Sequence, residues 1–257
     1  MIKMRKRFFL FLGIILISLF LWIYPKYSVP ILMYHRINYD KGLLSVSPEK
    51  FRKQMDFLKR NNFRVITLEE LVEGIKSKKE FLHKEVVITF DDGYRDNFIY
   101  AYPILKEYGF PAIIFLITGK IGKDENYLDW EEIKEMLKGG ISFGGHTRNH
   151  IYLPSLENDE GKLWDEIWGC KEDIENNLGI KVKYLAYPVG GFSEKIKEFV
   201  KKAGYDAGLT TNRGKDLRNL KDVYELNRIS VRDKSILEFW IKVSGYYNIF
   251  RKKKSVY

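Results

Sequence analysis

Residues 85–93, Glu-Val-Val-Ile-Thr-Phe-Asp-Asp-Gly, run from an almost continuously apolar strand straight into two carboxylates and a glycine. A strand without alternation is buried on both faces, the condition of a parallel sheet covered by helices. Working outward, similar runs recur at 31–34 (ILMY), 63–67 (FRVIT), 112–118 (AIIFLIT), 141–145 (ISFGG), 183–188 (KYLAYP) and 206–211 (DAGLTT). Segments of helical period separate most of them: PEKFRKQMDFLKR, LEELVEGIKSK, NFIYAYPILKEYG, DWEEIKEMLKG and SEKIKEFVKKAG, many ending at glycine, where helices commonly stop. Seven or so strands alternating with helices predict an α/β barrel rather than a small open sheet. In such barrels chemistry collects at the carboxyl ends of the strands, so the residues just after each run are the ones to read.

After EVVITF stand Asp91 and Asp92. Neighbours leaving a strand point in different directions, which suits two separate jobs better than one shared proton. Asp-Gly is also a common turn pair, so this motif alone leaves the choice open. After ISFGG come His146-Thr147-Arg148-Asn149-His150. Two histidines four apart fall on one face of a helical turn, a spacing that can grip one metal ion, although such a pair is also common surface decoration. With Asp92 they make a set of two imidazoles and one carboxylate that leaves positions open for water and substrate. After ILMY comes His35, facing the same mouth, where titration near neutrality suits general acid work; a histidine satisfied by a backbone carbonyl is the alternative. The remaining histidine, His83, lies in a charged stretch and reads as exposed and without a role.

Thr89-Phe90-Asp91-Asp92-Gly93 followed by His146-Thr147-Arg148-Asn149-His150 resembles the first two signature motifs of the polysaccharide deacetylases, the NodB-homology or family 4 carbohydrate esterases, over roughly residues 29–245. The resemblance implies a distorted (β/α)7 barrel, with Asp91 as catalytic base and Asp92, His146 and His150 as ligands of a divalent metal. Zinc is the default for those ligand types, and nickel, cobalt or iron would also accept them. The family ordinarily carries a second catalytic histidine near its C-terminus, yet no histidine follows His150. The circularly permuted branch that deacetylates poly-N-acetylglucosamine has that residue in an N-terminal motif similar to Leu32-Met33-Tyr34-His35-Arg36-Ile37, which implies that His35 is the acid. The third motif, usually Arg-x-Pro-Tyr, is here Ala186-Tyr187-Pro188-Val189, so the arginine that tunes the base is missing from its place. Arg228 and Arg148 are the candidates to replace it. By the same resemblance Val189 supplies an oxyanion N–H. Among Tyr94, Trp130, Trp164, Tyr187, Tyr246 and Tyr247, Tyr187 is the one expected to stack on a sugar ring. Cys170 reads as a packed small hydrophobe rather than a nucleophile.

Ahead of this body, Phe8–Tyr24 is a run of 17 uncharged residues preceded by Met-Arg-Lys-Arg. At about 1.5 Å per residue it spans roughly 25 Å, at the short end for a bilayer core. No small-x-small cleavage site follows, which favours an uncleaved anchor over a cleaved signal, and the basic start predicts a cytoplasmic N-terminus with the body exported. The expected organisation is an N-terminal transmembrane helix and linker (1–28), a deacetylase domain (29–250) and a basic tail (251–257). The formal charge of +10 invites a nucleic-acid reading. However, nine of the 44 basic residues lie in residues 1–28 and in Arg251–Lys254, and the rest of the chain is close to neutral. That disfavours nucleic acid and suits an uncharged N-acetylated polysaccharide, hydrolysed to free amine and acetate by a monomeric enzyme. Two alternatives stand beside it: a deacetylase or deformylase of peptidoglycan or a lipid-linked sugar, and a catalytically silent carbohydrate-binding protein.

Overall fold

A computed structural model describes residues 2–23, 27–212 and 222–247. The strands of the main sheet are β1 (Ile31–Tyr34), β2 (Arg64–Val65), β3 (Glu85–Phe90), β4 (Ala112–Leu116), β5 (Ile141–Gly145), β6 (Tyr184–Ala186), β7 (Ala207–Leu209) and β8 (Ile229–Ser230). All pairings are parallel, in the order β8-β1-β3-β4-β5-β6-β7, with β2 attached to the start of β3. The sheet curls until its edges approach. Leu226 forms a parallel bridge with Leu209 of β7, and the chain then leads within a few residues into β8. The main path thus has the expected number of strands but not the expected set. The 63–67 run contributes only β2, off the path, and the seventh place is taken by the two-residue β8, too short to show as an apolar run.

Period-two alternation sorts the strand residues into two layers. Val86, Ile88 and Phe90 pack outward with Leu32, Tyr34, Ile114 and helix residues such as Phe51 and Met55. Ile31, Val87, Ile113, Phe115, Tyr184 and Ala186 form the other layer, joined at the strand starts by Leu68, Leu71 and Val72 of the helix Leu68–Lys76. Each fully buried side chain of this kind contributes about 1.5–3 kcal/mol. Glycine is required where the β5 backbone comes closest to its neighbours: a Cβ on Gly144 would stand 2.6 Å from the Phe115 ring and 2.8 Å from the Tyr184 carbonyl oxygen. The helices Pro48–Arg60, Trp130–Lys138 and Glu194–Lys202 follow the sequence periodicity. The first of these begins on a proline, the second on the Asp129/Glu132 capping box, and the third on Ser193, which accepts from the Ile196 N–H.

At the N-terminus the residues Ile2–Ile23 are helical. The membrane span expected there is not supported by the structure: among the described residues no helix is long and apolar enough to cross a membrane. Several side chains of this helix, and the tail 251–257, lie outside the described residues.

Candidate active site

The alternation that builds the sheet also aims Asp91. Val87 and Thr89 face the inner side of β3, and Asp91 is the next residue in that series. Its backbone N–H bonds to the Tyr34 carbonyl at 2.9 Å, which fixes it beside the end of β1. Asp92 would face the other way, but the chain turns there through left-handed φ values of +75° at Asp92 and +77° at Gly93. Asp tolerates that region, and Gly93 has no alternative, because a Cβ would also lie 2.9 Å from Leu116 Cδ2. The turn brings Asp92 to the loop after β5. Asp92 Oδ1 stands 3.4 Å from His146 Nε2 and 3.6 Å from His150 Nε2, and the three ligand atoms lie within 4.8 Å of one another.

The histidines do not sit on a helical turn, as their spacing suggested. Residues 146–150 form a loop with left-handed φ at Thr147 (+63°) and His150 (+58°), closed by the His150 N–H on Thr147 Oγ1 at 3.0 Å. β-Branched Thr147 does not take that conformation readily, and strain of this kind concentrates at functional loops.

The donor set fits one small cation. A tetrahedral ion with ligands at about 2.0–2.2 Å places their atoms roughly 3.3–3.6 Å apart. His146 is also oriented as a ligand: its Nδ1 lies 2.7 Å from the Ala186 carbonyl, which can only accept, so Nδ1 carries the hydrogen and Nε2 presents its lone pair to Asp92 and His150. Burial would lower the His146 imidazolium, but Asp91 and Asp92 outweigh it and raise it above its ordinary value. Burial would raise Asp92, and His146 brings it down. A cation there takes the place of that proton. His150, 35% exposed, is the open side of the set and is lowered by burial and by His146.

Asp91 is held from the opposite side by Arg228, which arrives from just before β8. The guanidinium is 0% exposed and bidentate, with Nη1 to Asp91 Oδ1 at 2.6 Å and Nη2 to Oδ2 at 2.7 Å. It also donates to Thr89 Oγ1 at 3.3 Å and to the Thr210 carbonyl at 3.2 Å. Burial alone would raise the Asp91 carboxyl; Arg228, His146 and His35 overcome it and bring it down to about 2. His35 completes the group, its Nε2 4.0 Å from Asp91 Oδ2, and burial pushes its imidazolium below the ordinary value despite the pull of Asp91 and Asp92.

The family model for polysaccharide deacetylase matches residues 78–208, the stretch that carries Asp91, Asp92, His146 and His150. The chain belongs to the polysaccharide deacetylase family. It is 36% identical over 204 residues to YxkH of Bacillus subtilis (strain 168), covering 79% of this chain and 71% of that protein. It is 30% identical over 217 residues to a poly-beta-1,6-N-acetyl-D-glucosamine N-deacetylase of Staphylococcus aureus (strain MRSA252), covering 79% of this chain and 73% of the relative. Among solved structures it resembles Streptococcus pyogenes deacetylase PplD in complex with acetate, with a TM-score of 0.77 and 28% identity over 84% of this chain and 98% of that one.

This deacetylase brings in two of its site residues from outside the matched stretch. β1 lies between β3 and β8, so His35 after β1 and Arg228 before β8 reach Asp91 from neighbouring strands. Of the two candidate arginines, Arg228 is the one that pairs with Asp91, while Arg148 does not: its guanidinium pairs with Asp173 at 3.0 Å and with Asp165, away from Asp91. Tyr187 is no sugar platform either, being fully buried, stacked on Phe192 and donating its hydroxyl to the Tyr224 carbonyl at 3.0 Å. Val189 is 58% exposed with φ +56°, in the loop directly after the strand whose Ala186 orients His146. For a β-branched residue that backbone conformation is a true outlier. Cys170 is buried and its thiol is pushed up to about 12 by burial, as a packed hydrophobe should be. His83 is exposed and stacks on Tyr27 at 4.3 Å.

Sequence reasoning missed Glu166. It lies in the π-helical turn Asp165–Gly169, is almost fully buried, and accepts from the Asn149 N–H at 2.9 Å and from Asn149 Nδ2 at 2.7 Å. Its carboxylate thus braces the strained loop between the two histidines, and π-bulges leave no periodic trace from which this could be read. Replacing His146 or His150 by Ala is expected to lower metal occupancy, measured by elemental analysis after dialysis, while the fold persists. Full occupancy in both variants would remove the histidines as ligands.

Proposed function

We propose that this chain is a metal-dependent N-deacetylase of an N-acetylglucosamine-containing polysaccharide of the poly-N-acetylglucosamine type, acting outside the cytoplasmic membrane. The observation that carries the reading is the convergence of Asp92, His146 and His150 beside a carboxylate clamped by Arg228, with His35 across from it. A divalent cation on those three ligands, zinc by ligand type, would supply Lewis acidity toward water and the acetamide carbonyl.

The remaining steps belong to the chain's own side chains. Asp91, low enough to be ionised at any working pH, accepts the proton of the attacking water. Once protonated it is a far stronger acid than an imidazolium, so the proton passes downhill toward His35 Nε2. The 4.0 Å between them is the kind of separation that tightens when substrate binds. His35 then gives that proton to the departing nitrogen, without which an amine is a poor leaving group. The Val189 N–H would face the oxygen on which negative charge develops, and the strained φ there supports a functional use of that backbone.

The name of the Staphylococcus aureus relative supports the choice of polymer, and the near-neutral body supports an uncharged one. An extracytoplasmic body is argued from the basic start and apolar run of residues 1–28. Metal-loaded full-length chain should release acetate from poly-N-acetylglucosamine oligomers in preference to peptidoglycan or lipid-linked amino sugars. Release from one of the latter alone moves the substrate, and no release from any of them with metal bound overturns the deacetylase reading.

A further inference from the structure

One buried polar cluster braces the catalytic groups without touching the reacting atoms. Asp96 and Asn97 follow shortly after the Asp91-Asp92-Gly93 turn, at the entry to the π-helical turn Asn97–Ala101, and both are buried, Asn97 at 0% exposure. Asp96 Oδ1 accepts from the Ile37 N–H at 3.1 Å, while Oδ2 accepts from Arg36 Nε at 2.8 Å and from Asn38 Nδ2 at 3.1 Å. Asn97 Nδ2 donates to Asp96 Oδ1 at 3.0 Å and to the His35 carbonyl at 2.9 Å. Two acceptors facing this nitrogen fix the orientation of the amide. Its oxygen is then left buried without a hydrogen-bond partner among the described residues, a cost carried at this position.

The segment that bears the base therefore grips the segment that bears the acid, at the backbone through the His35 carbonyl and the Ile37 N–H and at the side chains of Arg36 and Asn38. The His35 ring has no such hold. Among the described residues neither ring nitrogen makes a hydrogen bond, and the nearest charge partner is Asp91 at 4.0 Å. The position of the imidazole opposite Asp91 is set through its backbone.

We propose that Asn97, backed by Asp96, is a positioning residue for His35: its amide holds the His35 carbonyl and thereby sets the gap across which the proton moves between Asp91 and Nε2. This rests on the reading of His35 as the group that protonates the leaving nitrogen. It separates Asn97 from a residue that only stabilises the fold, because the loss on removing it should track the need for that proton. An acetamide needs it; an aryl acetate, whose phenolate leaves unprotonated, does not.

Asn97→Leu removes the donor together with the unpartnered oxygen at similar volume, and leaves the His35 carbonyl without its partner, which is the effect under test. On an N-acetylglucosamine oligomer its kcat should fall by about 10- to 100-fold, the scale of an ångström of misplacement, with KM and metal content unchanged. Hydrolysis of an aryl acetate should stay at the wild-type rate, and adding Asn97→Leu to His35→Ala should cause no further loss on the oligomer. Equal losses on amide and ester, a full further loss in the His35→Ala background, or an unchanged amide rate would each overturn the proposal. Should Asn97→Leu fail to fold, Asp96→Asn, which loosens the same grip at Ile37 and Arg36, is expected to give the same amide-selective pattern. If His35→Ala itself hydrolyses the oligomer at the wild-type rate, it is the assignment of His35 that fails, and the positioning role falls with it.

Discussion

Asp91→Asn is expected to retain its metal and lose turnover by about 10²- to 10⁴-fold, the range for removing a general base. The candidate ligand set is Asp92, His146 and His150, and none of them hydrogen-bonds to Asp91, so metal content should stay near that of the native chain. What changes is the ability to accept a proton. A carboxylate clamped by Arg228 keeps further lone pairs for water, whereas an amide at the same place turns an NH2 group toward either the guanidinium or the substrate. One of the two Arg228 contacts is lost and a buried positive charge is left partly unopposed, so the variant should also be less stable. Acetate release per bound metal, measured well below the variant's unfolding temperature, separates the two effects. Native turnover at full metal occupancy would take Asp91 out of the mechanism.

The parts of this structure that were legible in the sequence are the parts fixed locally. EVVITF and ISFGG become strands over the residues read, 85–90 and 141–145, because a run of apolar residues bounded by turn residues has few other places to go. Asp91, Asp92, His146 and His150 follow these strands directly, so the strand-end rule marked them, while their joint role rested on the motif resemblance. What stayed hidden depends on contacts distant in sequence. Arg228 could be named as a substitute but not chosen over Arg148, because the choice turns on β8 lying beside β1, and β8 is two residues long. Tyr187 kept a motif position while its ring turned into the core, where Phe192 and the Tyr224 carbonyl supply its partners. The histidine pair was placed on a helix because four-residue spacing is helical by default. Two left-handed residues and a buried glutamate from a π-bulge replace that helix with a loop.

Arg228→Met should cost more stability than any other single change at the site, because it strands the Asp91 carboxylate in the interior. Breaking a buried pair by removing one partner typically costs about 3–5 kcal/mol, a large share of the roughly 5–15 kcal/mol that holds a protein folded. The pH dependence gives the direction of the effect. In the native chain the Asp91 carboxyl is at about 2 against an ordinary 3.8, so its contribution to stability is fully present above pH 3.8 and is lost as the pH falls through about 2. Without Arg228, burial is the largest influence left, opposed only by His146 and His35, so the folded carboxyl moves up from about 2. The stability that its ionisation contributes shrinks accordingly, and the variant has less of it to lose as the pH falls. Urea midpoints followed downward from neutral pH should therefore show the gap between native and Arg228→Met narrowing. The double variant Asp91→Leu/Arg228→Met, with no charge to strand, should recover most of the lost stability and none of the activity, since the pair is worth little to the fold once both halves are gone. A gap that stays constant with pH, or a double variant no more stable than Arg228→Met, would mean that the arginine serves the fold through its other contacts, to Thr89 and the Thr210 carbonyl, and not through the base.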